Sequence, residues 1–240
     1  MIADMLTVMW KERKGLFVSR GSRSRAMLSL LVPLGLVAIW FPFIEGARWV
    51  SSPLALVALL IPIMLVATTV PDSFAGERER HTLSTLLASR LSDRAILFGK
   101  LAVAVAYGWL VTIIAILLAL ITVNAAHWQG HVILYSPAVV VADVVLTFLM
   151  AILVAGVGIL ISLRAASVQA AQQLLVMIML LPPIILAVIL TVFRKQVASA
   201  LSGLSFLEVV LIAMGVLIVA DVILLMIDMA RFQRARLILG

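Results

Sequence analysis

The residues in this chain with the means to do chemistry are few, and most lie in apolar surroundings. Asp143 and Asp221 fall within long runs of Val, Leu, Ile and Ala, Asp143 lying, like Glu208 and Asp228, nearer the end of its run. A carboxylate in hydrocarbon is costly and marks either a proton or cation site or one half of a structural pair. Asp221 is the deepest by count, and Arg164 or a polar neighbour on another helix offers it a structural partner. His127 and His131 have the i, i+4 spacing of metal ligands on a helix. Gly130 lies between them, however, and no carboxylate is close in sequence, so interfacial polar residues describe them better. Gly99-Lys100 is the one Gly-Lys pair. It lacks the upstream glycine of a phosphate loop and is followed by Leu101. No nucleophile elbow or triad spacing is present. The chain therefore reads as a non-enzyme with no cofactor of its own.

The densest charge lies at 76–100. Only 12% of the residues are charged, yet Glu77, Arg78, Glu79, Arg80, Arg90, Asp93, Arg94 and Lys100 all fall there. Leu83, Leu86, Leu87 and Leu91 recur at helical spacing, and Arg80, Thr82, Thr85 and Ser89 take much of the remaining surface. Ser92-Asp93 has the form of an N-cap followed by an acidic first turn. The segment thus predicts a short amphipathic helix, a turn, and the start of a further helix. The leucine stripe needs a surface to bury against, either the chain's own spans or a groove on a soluble partner.

Those residues must be positioned by membrane spans. The hydrophobic fraction is 65%, well above that of a soluble domain. The apolar runs are continuous rather than alternating, which indicates helices and not a barrel. Six candidate spans follow, at about 26–44, 54–71, 101–123, 138–162, 171–193 and 208–228. The uncharged run 101–142 is too long for one span, and Asn124 to His131 divides it.

Fifteen Lys and Arg residues fall on the side of the termini and the 72–100 loop, against three (Arg48, Arg194, Lys195) on the other. The positive-inside rule then places both termini and that loop in the cytoplasm. The net charge of +7 follows from the same rule and does not indicate nucleic acid. There are no cysteines, so no disulfide framework or thiolate metal site.

Residues 1–25 are not a span. Ile2, Met5, Leu6, Met9 and Trp10 form one stripe, with Asp4, Thr7, Lys11 and Lys14 opposite, which predicts an amphipathic helix in the interface. The expected fold is all-α and integral to the membrane: this helix over 1–25, then a single six-span domain over 26–240.

The stretch ERERHTLSTLLASRLSDRAILFGK closely resembles the segment between the second and third spans of ABC-2 type transporter permeases. Glu77, Glu79, Thr82, Leu83, Leu86, Leu87, Leu91, Ser92, Gly99 and Lys100 match that pattern. WKERKGLF, with Trp10, Lys11, Glu12, Arg13 and Lys14, is similar to the family's start. His81 and Ser84 depart from it, standing where the family usually has Gly and Glu. The resemblance implies the membrane half of a plasma-membrane ABC exporter whose coupling helix, around 77–90, docks on a cytoplasmic ATPase. Glu77, Arg78, Glu79, Arg80, Thr82, Leu83, Leu86 and Leu87 would make that contact. It further implies two ATPase copies holding ATP and Mg, and a second permease chain, identical or homologous. The competing readings are a secondary transporter or channel using Asp143 and Asp221, a membrane scaffold, and a permease like that of haem export.

Overall fold

A computed structural model describes residues 2–18, 30–82, 90–193, 196 and 203–232, excepting the side chains of 16–18, 186, 187, 189 and 190. The described residues contain helices and no strand. An N-terminal helix α1 (Ile2–Val18) is followed by α2 (Leu30–Glu45) and a short α3 (Ala47–Ser51). Five long helices complete the chain: α4 (Pro53–Glu79), α5 (Asp93–Ala126), α6 (Pro137–Ser162), α7 (Val168–Val192) and α8 (Phe206–Arg231). Each of these five contains a stretch long and apolar enough to cross a membrane, and α2 is a shorter apolar helix. Helices keep every interior backbone N–H and C=O paired within one segment, which is what a chain in hydrocarbon requires.

The spans at 54–71 and 101–123 prove to be parts of longer helices. Helix α4 runs on to Glu79, so Glu77, Arg78 and Glu79 belong to its last turn and not to a separate short helix. The break comes at 80–82, where His81 takes φ 55° and the Thr82 N–H and hydroxyl both donate to the Glu77 carbonyl. Leu83, Leu86 and Leu87 lie outside the described residues. Leu91 is half-buried against the core. Helix α5 starts where the sequence marks it: Ser92 Oγ accepts from the Ala95 N–H, with Asp93 in the first turn.

Helix α4 is the hub, packing on α5, α6 and α7, while α8 lies mainly along α6. Half of the membrane stretch of α4 is buried, against 11% for α8. The exposed face of α8 is aliphatic, including Leu211, Val216 and Val219. Such a face carries no penalty where the solvent is lipid. Close approach depends on small residues. A Cβ at Gly158 would meet Leu175 and Val70 at about 3 Å, so α4, α6 and α7 touch there through glycine. Polar side chains bridge further helices: Trp109 Nε1 donates to the Val144 carbonyl (2.9 Å), Gln172 Nε2 to Thr68 (3.1 Å) and Thr122 Oγ1 to Ala38 (2.7 Å).

Candidate functional site

The charged residues singled out in the sequence gather at one end of the bundle. This is the end carrying α1, the last turn of α4, the start of α5 and the α6–α7 turn. Lys100 is at its centre, with a side chain only 1% exposed. Helix α5 positions it two turns after the Ser92 cap, on the face that packs against α1 and α4. Its Nζ lies 2.6 Å from the Ser73 carbonyl, 3.1 Å from Ser73 Oγ, 3.1 Å from Glu12 Oε1 and 3.0 Å from Glu77 Oε2. It also stands 5.1 Å above the Phe74 ring.

Glu77 Oε1 takes a second cation, Lys11 Nζ, at 2.6 Å. Ser73 Oγ donates to Glu12 Oε2 at 3.1 Å. Two lysines and two glutamates thus balance in charge, and they tie α1, α4 and α5 together. Glu77 Oε2 meets Lys100 as an ion pair rather than an aligned hydrogen bond. Beside them the backbones nearly touch: a Cβ on Gly99 would sit 2.8 Å from Val8 Cβ. Val8 is the residue through which α1 enters the core.

The remaining charges of the 77–80 run also turn inward on the chain. Arg78 donates to the Leu163 carbonyl at 3.2 Å. Glu79 Oε1 accepts the Val168 N–H at 2.8 Å, capping the start of α7, where a negative charge is favoured by the helix dipole. Arg80 pairs with Asp72 at 2.6 Å, in an exposed bridge worth little. One turn of helix therefore holds α1, α5, the α6–α7 turn and α7.

The interfacial stripe of α1 divides in the structure. Ile2, Leu6 and Trp10 are exposed, Met5 and Met9 are half-buried, and Val8, absent from the predicted stripe, is the buried anchor. Lys14 Nζ lies 3.8 Å over the Trp10 ring, and Arg13 is exposed. Trp10, Arg13 and Lys14 thus face outward, whereas Lys11 and Glu12 join the buried cluster.

The intramembrane carboxylates are not brought together with this cluster. Asp143 is 1% exposed, and near it the Trp49 indole donates to Tyr135 Oη at 3.1 Å. Burial pushes the Tyr135 phenol up to about 12; the Trp49 hydrogen bond opposes this and the Asp143 charge adds to it. Asp221 and Asp228, seven residues apart, share one face of α8. Both oxygens of each lack a hydrogen-bond donor among the described residues. Asp228 Oδ2 lies where a Cβ on Gly156 would meet it at 3.3 Å, so the glycine makes its space.

The pairing of Asp221 with Arg164 is not formed. Arg164 lines a small cavity with Arg231 at the helix end. Asp221 lies ten residues before Arg231, roughly 15 Å along the axis. His127 Nε2 contacts the Phe43 carbonyl at 2.7 Å, and among the described residues no His, Asp and Glu cluster could hold a metal ion.

Two features escaped the sequence reading. One is the capping box of Ser205 and Glu208, whose signal Ser-x-x-Glu stands before an apolar run. The other is the buried Lys100 network. Its only signal was the presence of charges at the edges of apolar runs, and spacing does not reveal which ones meet.

The described residues thus form a polytopic helical bundle with a charged, helix-clamped end. The chain belongs to the ABC-2 family: the model of the ABC-2 family transporter protein matches residues 45–212, more than two thirds of its length. No curated protein and no solved structure matches it.

Proposed function

We propose that this chain is the permease subunit of an ATP-driven ABC-2 exporter. It has six spans, α2 being the first, with both termini and the 72–100 segment in the cytoplasm. A pair of such chains, identical or homologous, works with two copies of a separate ATPase subunit, which hold the ATP and Mg. The segment from Glu77 through Leu87 receives the movement of that subunit. The family supports the transport role, and the charge asymmetry of the sequence supports the sidedness.

One observation carries the coupling assignment. The last turn of α4 is bound at once to α1, α5, the α6–α7 turn and α7 through Glu77, Arg78 and Glu79. A push on the residues following Arg80 therefore reaches four other parts of the bundle through short polar contacts. Such a joint suits transmission of a conformational change between rigid helices.

A reconstituted permease–ATPase complex provides the test. Transport should require ATP hydrolysis and persist after ion gradients are collapsed. The buried Asp143 and Asp221, which make no ion pair among the described residues, favour a second reading, that of an ion-coupled carrier. Transport by the permease alone, driven by an ion gradient and lost in Asp221→Asn, would establish that reading instead.

A further inference from the structure

A cavity lies away from the charged cluster, toward the Arg48 end of the bundle. Its volume is about 1100 Å³, at the upper end for a small-molecule site. Leu56 and Leu60 of α4, Met150 and Leu153 of α6, and Met179 and Pro182 of α7 form much of its wall. Among the described residues only two polar ones line it, Arg48 and Ser52, and both precede α4. The Ser52 hydroxyl already donates to the Arg48 carbonyl at 2.6 Å. The Arg48 guanidinium is exposed and makes no ion pair among the described residues, Glu45 included.

The chamber is therefore polarised along its length. From Ser52 to Ile63, its deepest residue on α4, the helix rises roughly 20 Å. Among the described residues a single cation, Arg48, stands at one end, and mostly aliphatic and thioether side chains line the rest. The two methionines give a wall that adapts to a flexible chain. A peptide would need donors and acceptors along the wall for its backbone, and the apolar side chains of α4, α6 and α7 that line it offer none. An uncharged hydrocarbon would make no use of Arg48, and a cationic one would be repelled by it.

We propose that this chamber binds an anionic amphiphile, with the hydrocarbon chain between α4, α6 and α7 and a phosphate or carboxylate headgroup on Arg48. The guanidinium matches either headgroup in a bidentate manner. The proposal rests on the permease reading only in making this molecule the class of substrate; the binding itself requires no ATPase.

The test uses the purified full chain in nonionic detergent and three dodecyl probes carrying a diazirine at the chain end. One bears a phosphate headgroup, one a glucoside and one a trimethylammonium. Peptide mapping after irradiation should place the phosphate probe on Met150, Leu153 or Met179. Its labelling should exceed that of the other two about tenfold, the scale of one charged hydrogen-bonding contact. Arg48→Ala should remove that preference and Arg48→Lys should retain most of it. Leu153→Trp should block labelling with Arg48 intact, and Leu60→Trp fills the chamber from the opposite wall should the first variant fail to fold.

Equal labelling by all three headgroups, or unchanged labelling in Arg48→Ala, would overturn the proposal. A diazirine-bearing phosphatidylglycerol supplied in the bilayer distinguishes the sources. If that lipid alone competes for the site, the amphiphile is a resident lipid. If the single-chain probe binds and ATP with the ATPase subunit depletes it, it is cargo. Both results uphold the headgroup rule. ATPase stimulation is measured separately, so failure of the chamber leaves the coupling assignment standing, and the reverse holds as well.

Discussion

Lys100 of α5 and Glu77 of α4 form a buried ion pair, Nζ to Oε2 3.0 Å, with their side chains 1% and 9% exposed. Two charges so far from solvent are costly to separate, because whichever remains has lost both its partner and its water. Here Lys11 and Glu12 complete the balance, and the Ser73 carbonyl fills another donor position of the ammonium. Through Lys11 and Glu12 this network makes the position of α1 depend on those of α4 and α5.

Lys100→Met should accordingly destabilise the protein strongly, by about 3–5 kcal/mol, since Glu77 and Glu12 then share Lys11 alone. Adding Glu77→Gln should recover part of that loss, whereas two independent substitutions would simply add. Thermal unfolding of the four proteins of this cycle measures the coupling. A single mutant as stable as the wild type would show that the network is dispensable.

Gly99→Ala should loosen α1 without unfolding the spans. The new methyl would press on Val8 at 2.8 Å, an overpacking that costs about 1–3 kcal/mol. Trypsin should then cut faster after Arg13 and Lys14. Val8→Ala in the same chain should return cleavage toward its original rate, because it makes room for the methyl. Continued fast cleavage in the double mutant would mean that α1 is held elsewhere.

The proposed sidedness has a direct check, as the chain has no cysteine of its own. Arg90 and His131 are exposed at opposite ends of α5. Arg90→Cys should react with an impermeant maleimide only in inside-out vesicles and His131→Cys only in intact cells. Labelling of both from the outside would overturn the orientation.

Leu83→Ala with Leu87→Ala tests the docking stripe. Each buried leucine contributes on the order of 2 kcal/mol, so the pair should weaken binding of the ATPase subunit by a hundredfold or more. The protein should still insert and fold, and should lose ATPase stimulation. Charge reversal at Glu79 should also disturb the bundle, because Glu79 caps α7. Full ATPase binding by the leucine double mutant would mean that the stripe packs on the protein's own spans.

Class, family and the approximate places of the five long helices were legible in the sequence, for a local reason. A span is a property of about twenty consecutive residues, because hydrocarbon thickness sets its length and backbone pairing sets its form. Ser92 and Asp93 likewise announce the start of α5 because a cap acts on N–H groups two or three residues away. What joins distant segments was not legible. Leucine periodicity near 80 suggested a helix from 77, but Glu77 to Glu79 finish α4, because nothing breaks that helix before His81. Asp221 and Arg164 were natural partners by charge, yet one is buried along α8 and the other lines the cavity at its end. That Lys100 meets Glu12 and Glu77, 88 and 23 positions away, was decided only by how closely α1, α4 and α5 pack. In an apolar bundle nearly any helix face can bury against any other, so the sequence leaves the choice of neighbours open; shape, small residues such as Gly99, and the few charges that must find one another settle it.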